Sequence, residues 1–340
     1  MSELTQGYQQ RFFERLGRRF TSRSELVQAV AEDLHLGRDA IYRRLRGDTS
    51  LTADEMMRLA DIYHLRTDTG PQLDSTGPCL RYPDDWAPIH DEYDYFVQLH
   101  NRWEKLKRLP GANFDLASPE LPMQYELSTP VLRAFKIYMY GVTTWKLKKW
   151  EGLDFSPGLI STSLHDLVDG IVVDHYSVSA RELWSIGILD VTLRQIGYVA
   201  QVGKFADPED LDRIFAELYR IVDHLERMVR TGKRFPLGQD PGADSSEFEV
   251  YHNELSNTSN VILVKSDLRP FLFTTLVTPN YVATSDPDLC AETQQWFDNL
   301  VKYGSPLNAG SAKYAAQYFG YLRGLIRKYE ERTRVGQYVF

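Results

Sequence analysis

Four arginines crowd the stretch RDAIYRRLRG, residues 38–47, in a chain whose net charge is −8. Residues 11–46 hold nine arginines against five acidic residues, so positive charge is concentrated near this stretch. A guanidinium donates paired hydrogen bonds to a phosphate or to the O6 and N7 atoms of guanine. This chemistry predicts a polyanionic partner bound at one place. The acidic remainder disfavours a protein wrapped by nucleic acid.

Two short helices must position these arginines. The segment ELVQAVAEDL predicts one helix, a turn follows at residues 35–37, and residues 38–46 form the next helix, which Gly47 ends. Helices joined by such a tight turn form a helix-turn-helix. Ile41 and Leu45 are four residues apart and share the inward face of the second helix. The predicted buried positions are Ala31, Leu34, Leu36, Ile41 and Leu45. The opposite face of the second helix is then polar and mostly cationic.

Residues 24–64 resemble the DNA-binding domain of the lambda-repressor/Cro family, also called the XRE type. The predicted buried positions match in order and spacing, and YRRLRG followed by SLTADEMMRLADIYHL is similar to the recognition helix and the next helix. His35 departs from the pattern, because the turn often has glycine there, and Gly37 follows two residues later.

The resemblance implies how each side chain would contact duplex DNA. Base edges would be contacted by Arg38, Asp39, Tyr42 and Arg43. Phosphates would be contacted by Arg23, Ser24, Arg44 and Arg46. One such domain covers one half-site, so a homodimer is expected to place two recognition helices one DNA turn apart.

The fold class predicted for the whole chain is mainly α. Residues 1–66 form the helix-turn-helix bundle, and residues 67–87, rich in Gly–Pro breakers, form a linker. Residues 88–340 form a larger helical region for sensing and dimerisation. It carries a small antiparallel three-stranded sheet at about 248–277, and one of its predicted helices spans 180–203.

Polar and aromatic residues on the predicted helix 180–203 could line an effector pocket. They are Trp184, Asp190, Arg194 and Tyr198. Arg194 is four residues from both Asp190 and Tyr198, so these side chains would share one helix face. An internal Asp–Arg pair that fixes helix packing explains the same residues.

Other chemistry is weakly indicated. His165 and Asp169 are four apart, a spacing that can chelate a metal, but a solvated helix edge explains it equally. The sequence has no nucleophile elbow, Walker loop or dinucleotide fingerprint, and Cys79 and Cys290 lack metal-ligand spacing. We therefore predict no metal, no cofactor and no enzymatic activity. No signal peptide and no apolar run of about 20 residues is present, which predicts a soluble, cytoplasmic protein without a membrane partner.

These observations favour a bacterial one-component transcriptional regulator, such as a repressor. Its N-terminal domain would bind double-stranded DNA as a homodimer, and its C-terminal region would respond to a small molecule or a protein. The first alternative is an adaptor whose N-terminal domain binds protein. The second is an enzyme tethered to DNA by that domain.

Overall fold

The computed structural model describes residues 8–17, 19–20, 22–63, 65, 79–83, 86–254 and 259–336. The chain divides into two compact units, Met1–Gly77 and Pro78–Phe340. The boundary between them falls inside the stretch predicted as a linker. Most of that linker, residues 67–78 and 84–85, lies outside the described residues.

The described residues of the N-terminal unit form four helices: α1 (Tyr8–Gly17), α2 (Arg23–Leu34), α3 (Arg38–Arg46) and α4 (Ala53–Ile62). Their starts follow the local chemistry, because the Ser22 side chain caps α2 and Thr52 forms a capping box with Glu55 at α4. The four helices share one apolar core. Its buried members are Phe12, Phe13, Leu16, Leu26, Val27, Val30, Ala31, Ile41, Leu59 and Ala60.

The C-terminal unit combines eight helices and seven strands in its described residues. The helices are α5 (Glu92–Lys107), α6 (Met123–Glu126), α7 (Pro130–Thr143), α8 (Thr162–Tyr176), α9 (Asp190–Gln201), α10 (Glu209–Thr231), α11 (Pro287–Tyr303) and α12 (Ala312–Arg334). The strands are β1 (Asn113–Ser118), β2 (Ser179–Trp184), β3 (Phe248–His252), β4 (Val261–Lys265), β5 (Phe271–Val277), β6 (Asn280–Thr284) and β7 (Ser305–Leu307). They form one mixed sheet of order β6-β5-β4-β1-β2-β3-β7.

The prediction of a mainly α fold with a small antiparallel three-stranded sheet is wrong. The three predicted strands exist as β3, β4 and β5, but β3 does not pair with β4. Instead β1, β2 and β3 run parallel, with Asn113 opposite Ser179 and Ala180 opposite Phe248. The predicted helix 180–203 is also wrong, because its first residues form β2 and α9 begins only at Asp190. The result is a mixed α/β fold.

Both faces of the central strands are covered. Phe114 and Leu116 of β1 point into the large core that the sheet shares with most of the helices. Ala117, on the other face, packs with Leu183 and with Phe297 of α11. Parallel strands joined by helical crossovers are commonly buried on both faces in this way. Among the described residues, no helix combines the length and apolarity needed to cross a bilayer.

Candidate functional site

Helix α3 presents two different faces. Ile41 is fully buried, and Leu45 packs half-buried against the same core, so the prediction that Ile41 points inward is confirmed. Arg38, Asp39, Arg43 and Arg46 are exposed, and Tyr42 is half-buried. The cationic face is therefore open to solvent in the N-terminal unit, where a polyanion could contact it.

The turn between α2 and α3 uses His35 in place of glycine. His35 has φ 54°, in the left-handed region, and the Leu36 N–H donates to the Ala31 carbonyl at 2.9 Å. This conformation costs a non-glycine residue about 1–2 kcal/mol. Gly37 has φ −70°, so its backbone does not require glycine. A side-chain contact of 3.2 Å between Arg58 and the His35 ring helps to hold the turn.

A glutamine on α1 fixes the carboxyl end of α3. The Gln9 side chain donates to the Arg44 carbonyl at 2.7 Å and to the Thr49 carbonyl at 2.8 Å. Its amide oxygen accepts from the Leu51 N–H at 2.7 Å. One side chain thus joins α1, α3 and the following loop. Sequence analysis missed this role, because the bonded residues are about 40 positions away in the chain.

The arginines of α3 differ in how they are held. Arg44 forms two hydrogen bonds with Glu55, at 2.8 and 3.2 Å, and its side chain is only 13% exposed. Arg46 pairs with Asp48 at 2.8 Å in an exposed position, and Arg38 donates to Ser24 at 3.2 Å. Arg43 has no ion pair among the described residues. The guanidinium of Arg44 was predicted to contact a phosphate, but in the structure it binds Glu55 within the N-terminal unit.

The contact with Arg44 also affects the pKa of the Glu55 carboxyl group. Partial burial raises its pKa, but the Thr52 N–H and the Arg44 guanidinium outweigh burial, so the pKa is lowered overall. Arg44 and Glu55 therefore connect α3 to α4 as an ionised pair. Arg23 and Ser24, at the start of α2, are exposed.

The four residues predicted for an effector pocket do not form one site. Trp184 belongs to β2 and is fully buried, where its indole N–H donates to Glu182 at 2.8 Å. Tyr198 lies on α9 and is 62% exposed. Arg194 is also exposed and donates to the carbonyl of Asp190 within its own helix, at 3.2 Å. The prediction placed all four residues on one helix, but Trp184 lies in β2 and the other three lie in α9.

A buried polar network that sequence analysis missed lies beside β2. Glu182 accepts from the Tyr125 hydroxyl at 2.7 Å, and the guanidinium of Arg234 is 3.9 Å away. Arg234 also contacts His175 Nε2 at 2.5 Å and stacks on the Phe114 ring. Burial and the nearby Arg234 hold the pKa of His175 well below its usual range, so the ring is neutral and accepts the bond. These contacts are enclosed by the core and are suited to positioning β2.

A second buried ion pair connects α6, α7 and α9. The Lys136 ammonium is 3.1 Å from the Glu126 carboxylate, and each side chain is 3% exposed. Lys136 also donates to Gln195 at 2.8 Å, and the Thr192 hydroxyl donates to Glu126. Burial raises the pKa of Glu126 despite the lysine. A pair satisfied on both sides in this way fixes helix packing.

The candidate metal ligands already hold protein cations. Arg133 donates to His165 Nδ1 at 3.2 Å and to Asp169, which accounts for the spacing of those two residues. A second group, His100, Glu104 and Asp174, has ligand atoms within 4.8 Å of one another. The Lys107 ammonium lies 2.6 Å from each of the two carboxylates in that group. A lysine therefore neutralises the charge that a metal would neutralise.

No protein-family model, curated protein or solved structure matches this chain. The two polar networks of the C-terminal unit are buried, whereas the outer face of α3 carries the exposed arginines Arg38, Arg43 and Arg46. That face is the candidate nucleic-acid interface.

Proposed function

We propose that the N-terminal unit binds duplex DNA by placing α3 in the major groove. The observation that carries the proposal is the two-faced character of α3, with Ile41 fully buried and Arg38 and Arg43 exposed. An α-helix with its side chains is about 10–12 Å across, and the major groove is about 12 Å wide. The bonds from Gln9 and the Arg44–Glu55 pair make α3 a rigid element, as precise readout requires.

The proposed contacts divide by chemistry. Arg38 and Arg43 would donate to guanine O6 and N7, and Asp39 would accept from a cytosine amine. Tyr42, half-buried beside them, would contact a neighbouring base. Phosphates would be contacted by Arg23, Ser24 and Arg46 and by the backbone N–H groups at the start of α2. Arg44 would hold α3 against α4 through its ion pair with Glu55.

In the wider proposal the protein is a cytoplasmic bacterial transcriptional regulator that acts as a homodimer. Two half-sites, one DNA turn apart, would be bound by two copies of α3. The C-terminal unit would pair the protomers and respond to a small molecule or a protein partner. Such a response would change regulation only if the effector binds one dimer arrangement better than the other.

The test selects duplexes from a random-sequence library with the full-length protein. The matched variants are Arg38→Ala/Arg43→Ala and, as a control, Arg220→Ala, which removes an exposed arginine of the C-terminal unit. We expect the wild type and the control to enrich one motif with two half-sites, and the double variant to lose it. Equal enrichment by all three proteins, or binding that ignores salt concentration, would contradict DNA readout by α3 and favour a protein-binding role.

A further inference from the structure

A pocket of about 350 Å³ lies on the C-terminal unit. Its lining residues are Ile89, His90 and residues 145–149. Its volume is near the lower end of the range of small-molecule sites, about 300–1,000 Å³. Three of the lining side chains are lysines, Lys146, Lys148 and Lys149, so the wall is strongly cationic.

Buried anchors hold this cationic wall in place. In the segment WKLKKW, residues 145–150, the two tryptophans and Leu147 are buried while the three lysines are exposed. The Leu147 N–H donates to the Gly141 carbonyl at 2.8 Å, which folds the segment back onto α7. Gly141 is required there, because a Cβ would lie 2.0 Å from the Trp150 ring. The lysine backbone is therefore fixed by packing.

Two unfavourable features coincide at the pocket. Lys146 has φ 53°, and His35 is the other non-glycine residue with positive φ among those described. Trp145 is 8% exposed, and its indole N–H is buried without a hydrogen-bond partner in the described part of the chain. Strained backbone often occurs at ligand-binding sites, and a buried unsatisfied donor can mark the place of a bound water or ion. Both features lie in the wall that carries the lysines.

The charges at the pocket are only partly balanced. Lys149 forms an ion pair with Glu92, a buried residue in the first turn of α5. Lys146 and Lys148 are exposed and have no ion pair with any described residue. A multiply charged anion would neutralise both ammonium groups at once, and Lys is well suited to phosphate as a compact point charge.

We propose that this pocket binds a small polyvalent anion, carrying phosphate or carboxylate groups, between Lys146 and Lys148. Ile89 and Leu147 would contact any apolar part of the ligand, and Trp145, which also lines the pocket, would report its binding. The site belongs to the C-terminal unit and does not depend on the DNA-binding proposal. It is distinct from the effector pocket that the sequence predicted around Trp184.

The test follows the six tryptophan indole N–H signals of the full-length protein by NMR with ¹⁵N-labelled tryptophan. The Trp145 signal is assigned from its loss in Trp145→Phe. Pyrophosphate and citrate are the two probes, each added up to about 10 mM. We expect a saturable shift of the Trp145 signal, with pyrophosphate alone indicating a phosphoryl ligand and citrate alone a carboxylate ligand.

The control separates the site from general electrostatics. Lys146→Glu/Lys148→Glu should weaken the apparent affinity at least about tenfold. Lys313→Glu/Lys328→Glu makes the same change of charge on exposed residues of α12 and should bind as the wild type does. Preserved signals from the other five tryptophans show that each variant is folded. No shift with either anion, or equal affinity in the two double variants, overturns the proposal. The sample contains no DNA, so its outcome is separate from that of the duplex selection.

Discussion

Two adjacent arginines of α3 should respond to mutation in opposite ways. Arg43 is exposed, whereas the Arg44 side chain is 13% exposed and donates to the Glu55 carboxylate from Nε and Nη2. We therefore expect Arg44→Ala to weaken the N-terminal unit and to leave DNA readout to the remaining arginines. Arg43→Ala should leave the stability of the unit nearly unchanged and should weaken DNA readout.

The magnitudes follow from the contacts. Hydrogen bonds to a charged group contribute about 1.5–3 kcal/mol, and the partial exposure of both side chains reduces this to about 1–2 kcal/mol. Arg44→Ala should lower the free energy of unfolding of the unit by that amount. Arg43→Ala should change it by less than about 0.5 kcal/mol, as is usual for exposed positions. On DNA, Arg43→Ala should cost about 1–3 kcal/mol of discrimination for a cognate duplex.

Two assays separate these effects. Hydrogen exchange measured by mass spectrometry on peptides from α2 to α4 should be about 5–30-fold faster in Arg44→Ala, since about 1.4 kcal/mol corresponds to a factor of ten. Fluorescence anisotropy on a selected duplex should show loss of sequence discrimination in Arg43→Ala only. If Arg44→Ala exchanged like the wild type yet bound DNA with a smaller salt dependence, its guanidinium would be a phosphate contact and our assignment would be wrong.

Three further predictions concern the C-terminal unit. Lys136→Met leaves the buried Glu126 carboxylate without its cation, so urea denaturation should show a free energy of unfolding lower by about 3–5 kcal/mol. Adding Glu126→Gln should recover part of this loss. A larger loss in the double variant would contradict the pairing. Burial lowers the pKa of His224 from 6.5 to about 4, so only the unfolded chain binds this proton readily. The contribution of neutral His224 to the free energy of unfolding is complete above pH 6.5 and should be smaller by about 2 kcal/mol near pH 5. His224→Phe should therefore make the urea midpoint less dependent on pH. Gly141→Ala should destabilise the C-terminal unit by about 1–3 kcal/mol, because the added methyl clashes with Trp150. Gly170→Ala in α8 should not destabilise it in this way, because the added methyl meets no atom within 4 Å.

The helices α2, α3 and α4 could be predicted because their signals are local. Ile41 and Leu45 follow helical spacing within one element, Thr52 and Glu55 form a capping box three residues apart, and Gly47 ends α3 with φ 84°. Each of these signals acts over a few residues, so neighbouring sequence is enough to find it. The Gln9 contacts escaped the prediction because they join residues far apart in the chain.

The sheet could not be predicted because its two central strands are stabilised by distant partners. Strand β1 contains Asp115, a residue that disfavours strands, and only Arg181, Lys265 and Gln294 make its burial possible. Strand β2 carries Arg181 and Glu182 side by side, which locally indicates the surface of a helix. In the structure they lie on opposite faces of the sheet, and Glu182 is bonded to Tyr125, 57 positions away.

The order of strands has a consequence for how the chain acquires its structure during synthesis. The central strand β1 pairs on one side with β4, and β3 pairs with β7 at residues 305–307, so the sheet is incomplete until residue 307 has left the ribosome. The described core residues of α1 to α4 lie within residues 12–65, and local contacts form quickly. A ribosome-bound chain would therefore display a finished N-terminal unit while the C-terminal sheet still has unpaired edges, which makes the second unit the one more dependent on chaperones.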